Sequence, residues 1–335
     1  MSRVFFPEGY RSALDLYRTQ SAIGILKTTF EKNLCAALNL KRVSAPLFVL
    51  PSTGLNDDLN GYERPVTFDI PDANANAAVV HSLAKWKRLA LYRYGFSAGE
   101  GLYTDMNAIR RDEELDNTHS VYVDQWDWEK VITRADRNED YLKSTVRAIV
   151  GAVCDTLDTL KAAYPELKVS LDREVTFVTG GELEEIYPSL TPEQRENEFT
   201  KLHRTVFVMC IGGKLKDGRP HGGRAPDYDD WKLNGDILFW DDVLGKALEI
   251  SSMGIRVDAD SMKSQLESSG CGERAGLMFH RMVLENTLPL TIGGGIGQSR
   301  LSMLLLGKAH IGEVQSSVWD NETIEAASKA EVIIL

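Results

Sequence analysis

The stretch Gly293-Gly-Gly-Ile-Gly-Gln-Ser-Arg300 follows the apolar segment Leu288-Pro-Leu-Thr-Ile292 and precedes the helix-forming Leu301-Ser-Met-Leu-Leu-Leu306. That order predicts a strand, a glycine turn and a helix. Glycines tolerate positive φ and let a backbone approach a ligand, and the N-terminus of the next helix offers free N–H groups to anions. The run does not end in the Gly-Lys-Ser/Thr of a P-loop, and Arg300 stands where GxGxxG needs its third glycine. Two readings stay open on the run alone: glycines that pack a helix against a sheet, or a cradle for phosphate. Arg300 favours a nucleotide, because a guanidinium stacks on a base or engages a phosphate.

The surrounding chain has 335 residues, 43% hydrophobic and 26% charged, which is the composition of a globular protein able to bury a core. Its net charge of −11 repels phosphate backbones, so no nucleic-acid partner is expected. No apolar run approaches the ~20 residues of a membrane span, and the start MSRVFFPEGYRSALD lacks the layout of a signal peptide. A cytoplasmic protein with no membrane partner is the expectation. Cys35, Cys154, Cys210 and Cys271 show no CxxC spacing and the six histidines no HExxH, so neither a zinc site nor a disulfide framework is indicated.

Arg11 to Leu38 carries Leu14, Tyr17, Ile23, Leu26, Phe30 and Leu34 at spacings mainly of three and four, which predicts one long amphipathic helix. Lys41 to Leu50 then reads as extended, broken by Pro46. A turn over Asn56–Gly61 and a short strand over Pro65–Ile70 follow, then a basic helix over Ser82–Arg88. Further strands are expected over Thr118–Trp128, Val175–Val178, Val206–Ile211, Gly235–Trp240 and Ala247–Ile250, with helices over Asp140–Asp158, Asp260–Ser268 and Arg274–Glu285. No repeat or long linker interrupts the pattern. One α+β domain over 1–335 is therefore expected.

Three further segments and one pair of acids bear on the chemistry. Alternation along His119-Ser-Val-Tyr-Val-Asp-Gln-Trp-Asp-Trp128 puts Trp126 and Trp128 on one face and Gln125 and Asp127 on the other, where an amide and a carboxylate can read an amino acid. Gly95-Phe-Ser-Ala-Gly99 fits the GxSxG pattern, but Arg93 interrupts the strand a nucleophile elbow needs, and the segment reads instead as a mobile glycine loop over the site. The polar stretch Lys214–Asp230 is either an exposed turn or a site-forming loop. Asp236 and Glu249, on adjacent strand candidates, are two carboxylates able to hold Mg²⁺ against nucleotide phosphates.

Together these segments resemble the ammonia-dependent asparagine synthetase (aspartate–ammonia ligase) family, which shares the catalytic fold of class II aminoacyl-tRNA synthetases. The resemblance runs from the first helix to Trp319 and rests on VVHSLAKWKR (Val79–Arg88), FSAGEGLYT (Phe96–Thr104), HSVYVDQWDWE (His119–Glu129), RAPDYDDW (Arg224–Trp231), SSMGIRVDAD (Ser251–Asp260) and TIGGGIGQSRL (Thr291–Leu301). It implies a central, mainly antiparallel sheet flanked by helices. It also implies a homodimer built on the helix and strand of about 11–50, and an ATP and aspartate site from 57–129, 224–256 and 291–306. Arg111 stands where the family usually has proline, Asp57-Asp58 offers two acids where it usually has one, and Trp231–Asn234 is shorter than its usual connection.

By the same resemblance, Ser82, Lys87, Gln125, Asp127 and Asp229 would grip aspartate. Arg110, Arg224, Glu249, Gly294, Gly295 and Arg300 would bind ATP, Asp236 and Glu249 would bind Mg²⁺, and Asp57, Arg110 and Gln125 would matter most for turnover. The implied reaction makes L-asparagine from L-aspartate, ammonia and ATP through a β-aspartyl-adenylate, releasing AMP and pyrophosphate. An aspartyl- or asparaginyl-tRNA synthetase core is the alternative, and a silent amino-acid-sensing relative is another.

Overall fold

The structure is a computed structural model that describes residues 3–57 and 63–335. Its first half runs α1 (Leu16–Leu38), β1 (Leu40–Arg42), β2 (Phe48–Val49), β3 (Thr67–Ile70), β4 (Ala75–Val79), α2 (Ala84–Tyr94), β5 (Gly101–Ile109), β6 (Tyr122–Val131) and α3 (Glu139–Ala163). There follow β7 (Thr176–Thr179), α4 (Gly180–Ile186), α5 (Pro192–His203), β8 (Thr205–Met209), β9 (Asp229–Asp241) and β10 (Lys246–Arg256). The chain closes with α6 (Ala259–Ser268), α7 (Met278–Leu284), β11 (Thr291–Gly297), α8 (Gln298–Leu305) and α9 (Asn321–Lys329).

Eight strands form one sheet in the order β1-β5-β6-β11-β10-β9-β8-β7. The six strands from β5 to β8 pair antiparallel, and the parallel pairs β1–β5 and β7–β8 lie at the two edges. A second sheet, β2-β4-β3, is small and antiparallel.

The first helix starts later than Arg11. Asp15 accepts a hydrogen bond from the Arg18 N–H at 2.8 Å and caps the helix at Leu16. Asn39, at φ 60°, ends it. Between these caps, Ala22, Leu26, Phe30, Leu34 and Leu38 recur every four residues, and all are buried. They pack with Val146, Ile149, Val153 and Leu157 of α3 over one face of the large sheet. Trp126 and Trp128 point into this layer and are fully buried there, as the alternation predicted. Truncating either indole to alanine should cost about 3–5 kcal/mol.

On the far side of the sheet, Leu83 and Leu89 of the α2 region, Met262 and Leu266 of α6, and Phe279 and Val283 of α7 form a second core. The space left between these helices and the sheet opens the site.

Two strands were not read from the sequence. Gly101-Leu-Tyr-Thr-Asp-Met-Asn-Ala-Ile109 forms β5, and the Asn/Ala-rich Ala75–Val79 forms β4. The glycine run also differs from expectation. Gly293 to Gly297 is not a turn but the body of β11, paired along its length with β6 and β10 and with no residue at positive φ. Its glycines answer to steric closeness, not to backbone handedness. The Trp231–Asn234 stretch lies inside β9 and needs no loop.

Candidate active site

The floor of the site is the register of β6 against β11. Gly293 faces Glu129, Gly295 faces Asp127 and Gly297 faces Gln125. A Cβ on Gly295 would lie 2.3 Å from Gln125 Oε1 and 2.7 Å from Asp127 Oδ1, so the strand carries no side chain where those two groups lie. A cavity of about 370 Å³ opens above this floor.

At one end Lys87 reaches in from α2. Its ammonium is 1% exposed, 3.3 Å from Asp127 Oδ2, and donates to the Gly294 carbonyl at 2.8 Å. Burial pulls its pKa below the ordinary lysine value, against the pull of Asp127. Beside it, Arg256 of β10 lies between two acids. It donates to Glu129 at 2.7 Å and pairs with Asp229 through Nη1. Burial alone would raise the Glu129 carboxyl, but Arg256 outweighs it and holds the pKa below the usual range.

Ser82, whose Oγ accepts from the Ala84 N–H at 3.0 Å, lines the same end together with Asp57, Gln125 and Asp229. Asp57 is 3% exposed, and its carbonyl meets His81 Nδ1 at 3.1 Å. Asp58 and the rest of the expected turn to Gly61 lie outside the described residues.

Three further cations belong to the site. Arg300, in the first turn of α8, donates to the Thr118 carbonyl at 3.2 Å and the Glu249 carbonyl at 3.3 Å. Arg110 lies at the end of β5, its Nη1 3.9 Å from Glu113 and its buried Nε without a hydrogen-bond partner among the described residues. Arg111 is exposed and does not line the cavity, so geometry selects Arg110. The Arg224 side chain is 7% exposed and donates to Asp236 at 2.5 Å and to Ser252 Oγ.

Of the stretch Lys214–Asp230, only the later part forms the site. Gly223, Arg224, Ala225, Tyr228 and Asp229 line the cavity, whereas Lys214 and Pro220 close an outer turn.

The expected residues Asp57, Ser82, Lys87, Arg110, Gln125, Asp127, Arg224, Asp229, Glu249, Gly294, Gly295 and Arg300 all line one cavity. Asp236 is the exception. It sits behind the lining, where its Oδ1 is held by Arg224 and by Ser252 Oγ. The Gly95–Gly99 segment also corrects an expectation: Gly95 ends α2 at φ 72°, and Gly99 bonds the Val131 carbonyl at the end of β6. None of its residues lines the cavity, because the helix cap and that bond fix it elsewhere.

Sequence reasoning missed the lining residues Arg256, Tyr228 and His119, the Glu129 carboxylate that holds Arg256, and the reach of the cavity to Ile311 and Gln315. A signal for Arg256 was present: a cation inside the apolar Ser-Ser-Met-Gly-Ile-Arg-Val demands a buried partner. Glu129, two residues beyond Asp127 on the same strand face, supplies it.

An antiparallel sheet with one arginine beside its β5–β6 connection and another just after its last strand defines a class II aminoacyl-tRNA synthetase-like catalytic fold. The asparaginyl-tRNA synthetase of Pyrococcus horikoshii complexed with asparaginyl-adenylate matches with a TM-score of 0.65 at 17% identity, over 89% of this chain and 68% of that one. The aspartate–ammonia ligase family model matches residues 17–331. The chain is 58% identical to the aspartate–ammonia ligase of Clostridium tetani, over 99% of this chain and 98% of that protein. It is 56% identical to that of Lactobacillus johnsonii, over 99% of each. The chain belongs to the aspartate–ammonia ligase family.

Proposed function

We propose that this chain, acting over 1–335 as one catalytic domain, makes L-asparagine from L-aspartate, ammonia and ATP through a β-aspartyl-adenylate, with release of AMP and pyrophosphate. The observation that carries the reading is a single cavity lined both by amino-acid-reading groups and by phosphate-reading guanidinium groups, the two sets meeting where Arg224 Nε lies 3.6 Å from Asp229. Lys87 suits a carboxylate of aspartate, Asp127 and Asp229 suit its ammonium, and Ser82 and Gln125 complete the contacts. Arg110, Arg224, Glu249 and Arg300 suit ATP, together with the bare backbone of Gly294 and Gly295.

A carboxylate oxygen is a poor leaving group. Attack by the β-carboxylate on the α-phosphorus expels pyrophosphate and turns that oxygen into part of AMP, which leaves readily. Arg110 and Arg300 would steady the charge that develops on phosphorus. Ammonia then attacks the acyl carbon, and Asp57 would take up a proton.

Asp236 and Glu249 would hold Mg²⁺. Among the described residues no group of three or more His, Cys, Asp or Glu side chains forms a complete metal site. Two carboxylates completed by ATP phosphates suit this ion. Burial and the neighbouring Asp236 raise the Glu249 pKa, a repulsion that a bound cation relieves. The ion would screen the charge of the triphosphate.

A homodimer is part of the proposal. Leu47, Phe48, Leu50 and Phe68, on and beside the small sheet, are exposed apolar side chains, and the Phe48 and Phe68 rings meet edge to face at 5.0 Å. Sedimentation should give about twice the chain mass. Among the described residues no helix is long and apolar enough to cross a membrane, and a cytoplasmic location accords with the metabolite substrates.

The test supplies aspartate and MgATP with either ammonium or glutamine. Asparagine should appear with ammonium. Failure to form it from either nitrogen source rejects the proposal.

A further inference from the structure

Tyr228 belongs to the site but has no part in the assignments above. It lies one residue before Asp229, and its carbonyl accepts the Val257 N–H at 2.9 Å, which ties its backbone to the end of β10. The Arg256 guanidinium stands over its ring at 5.7 Å. Arg256 is itself fixed by Glu129 and Asp229, so the ring is held from one side by a side chain that cannot move freely.

Tyr228 lines the cavity with Asp57, Ser82 and Lys87. Its hydroxyl has no hydrogen-bond partner among the described residues. Burial, and after it the charge of Asp57, push its pKa well above the ordinary tyrosine value. The phenol therefore keeps its proton and stays neutral, with lone pairs to offer.

Asp57 and Tyr228 supply different things. A carboxylate that is 3% exposed supplies charge, and a neutral phenol oxygen supplies a directed acceptor beside an aromatic wall. An ammonium ion needs both, because it carries one charge and four N–H donors and is costly to strip of water. The α-ammonium of aspartate already has Asp127 and Asp229.

We infer that Tyr228 and Asp57 form the binding site for the ammonium ion of the second half-reaction, with Tyr228 accepting one of its hydrogen bonds. This rests on the adenylation reading given above. Ammonium gives one proton to the Asp57 carboxylate and becomes ammonia. The nitrogen lone pair forms the C–N bond at the β-acyl carbon, and the acyl C–O bond breaks with its electron pair on AMP. The nitrogen then loses a second proton to water, leaving the neutral amide.

Tyr228→Phe tests this, since it removes only the oxygen and keeps the ring over Arg256. Two quantities are compared with the unmodified protein: aspartate-dependent exchange of labelled pyrophosphate into ATP without ammonium, and the KM for ammonium in asparagine synthesis. Exchange should stay within about twofold, while the KM for ammonium should rise roughly ten- to hundredfold, the loss of a hydrogen bond to a charged group. An unchanged ammonium KM overturns the inference. So does a fall in exchange that parallels the fall in synthesis, which would place Tyr228 in the first half-reaction. If the unmodified protein makes asparagine without any such exchange, the adenylation reading fails and the inference falls with it.

Discussion

Gly293 faces Glu129 across the β6–β11 pair so closely that a Cβ on the glycine would lie 1.9 Å from Glu129 Oε2. Two residues along, Gly295 stands in the same relation to Gln125 and Asp127. The glycines therefore make room for a row of site acids and amides on the neighbouring strand. Gly295→Ala should push the Gln125 amide aside at an overpacking cost of about 1–3 kcal/mol, and kcat/KM for aspartate should fall at least ~tenfold. Gly151→Ala is the control: in α3, with nothing within 4 Å of its Cβ position, it should leave turnover unchanged and stabilise the fold by about 0.4–1 kcal/mol. Steady-state kinetics and thermal melts read both.

The neighbouring arginines give a sharper contrast. Arg110 lines the cavity and Arg111 faces solvent. Arg110→Ala should lower turnover by ~10²–10³, the usual effect of removing one positioned donor. Arg111→Ala should leave it within about twofold. Equal losses in both variants would reject the placement.

Much of this site was legible because its chemistry is local in the chain. Gln125 and Asp127 share a strand face by period two, so their common aim, and the burial of Trp126 and Trp128 behind them, follow from spacing. Long strings such as RAPDYDDW carried Arg224 and Asp229. What spacing could not supply is the pairing of distant strands. The glycine run looks like a turn because glycine is rare in strand interiors, and only the closeness of Glu129, far away in sequence, explains it as a strand. The strand β5 was missed for a related reason: Thr104, Asp105 and Asn107 break its apolar pattern, while Asp105 is satisfied by Gln298 at 3.0 Å and by Arg42. The adjacency of the strands that carry Asp236 and Glu249 was legible, but spacing did not show that Arg224, twelve residues upstream, and Ser252 hold the Asp236 carboxylate just behind the residues that line the cavity.

A buried histidine sets part of the response to acid. His310 accepts the Gly312 N–H on Nδ1 at 2.9 Å and packs against Trp319 with ring centroids 4.9 Å apart. Burial lowers its pKa from 6.5 to about 4, against the opposing pull of Asp116 and Asp320. As pH falls from 6.5 towards 4 the unfolded chain takes up this proton before the folded one does. The stability due to the neutral ring is complete above 6.5 and is lost across that window, by up to about 3 kcal/mol. His310→Asn keeps an acceptor for Gly312 but does not titrate. Denaturant unfolding at pH 7 and pH 4 should show the parent losing more stability than the variant by about that amount, and equal losses would show that His310 does not set the response.

In the proposed reaction, aspartate is activated on its β-carboxylate by transfer of AMP. Aspartate labelled with ¹⁸O in that carboxylate, turned over with ammonium and MgATP, reports the bond directly. Adenylation predicts one labelled oxygen in the AMP and none in inorganic phosphate or pyrophosphate. Label in inorganic phosphate, with ADP as the nucleotide product, would contradict it.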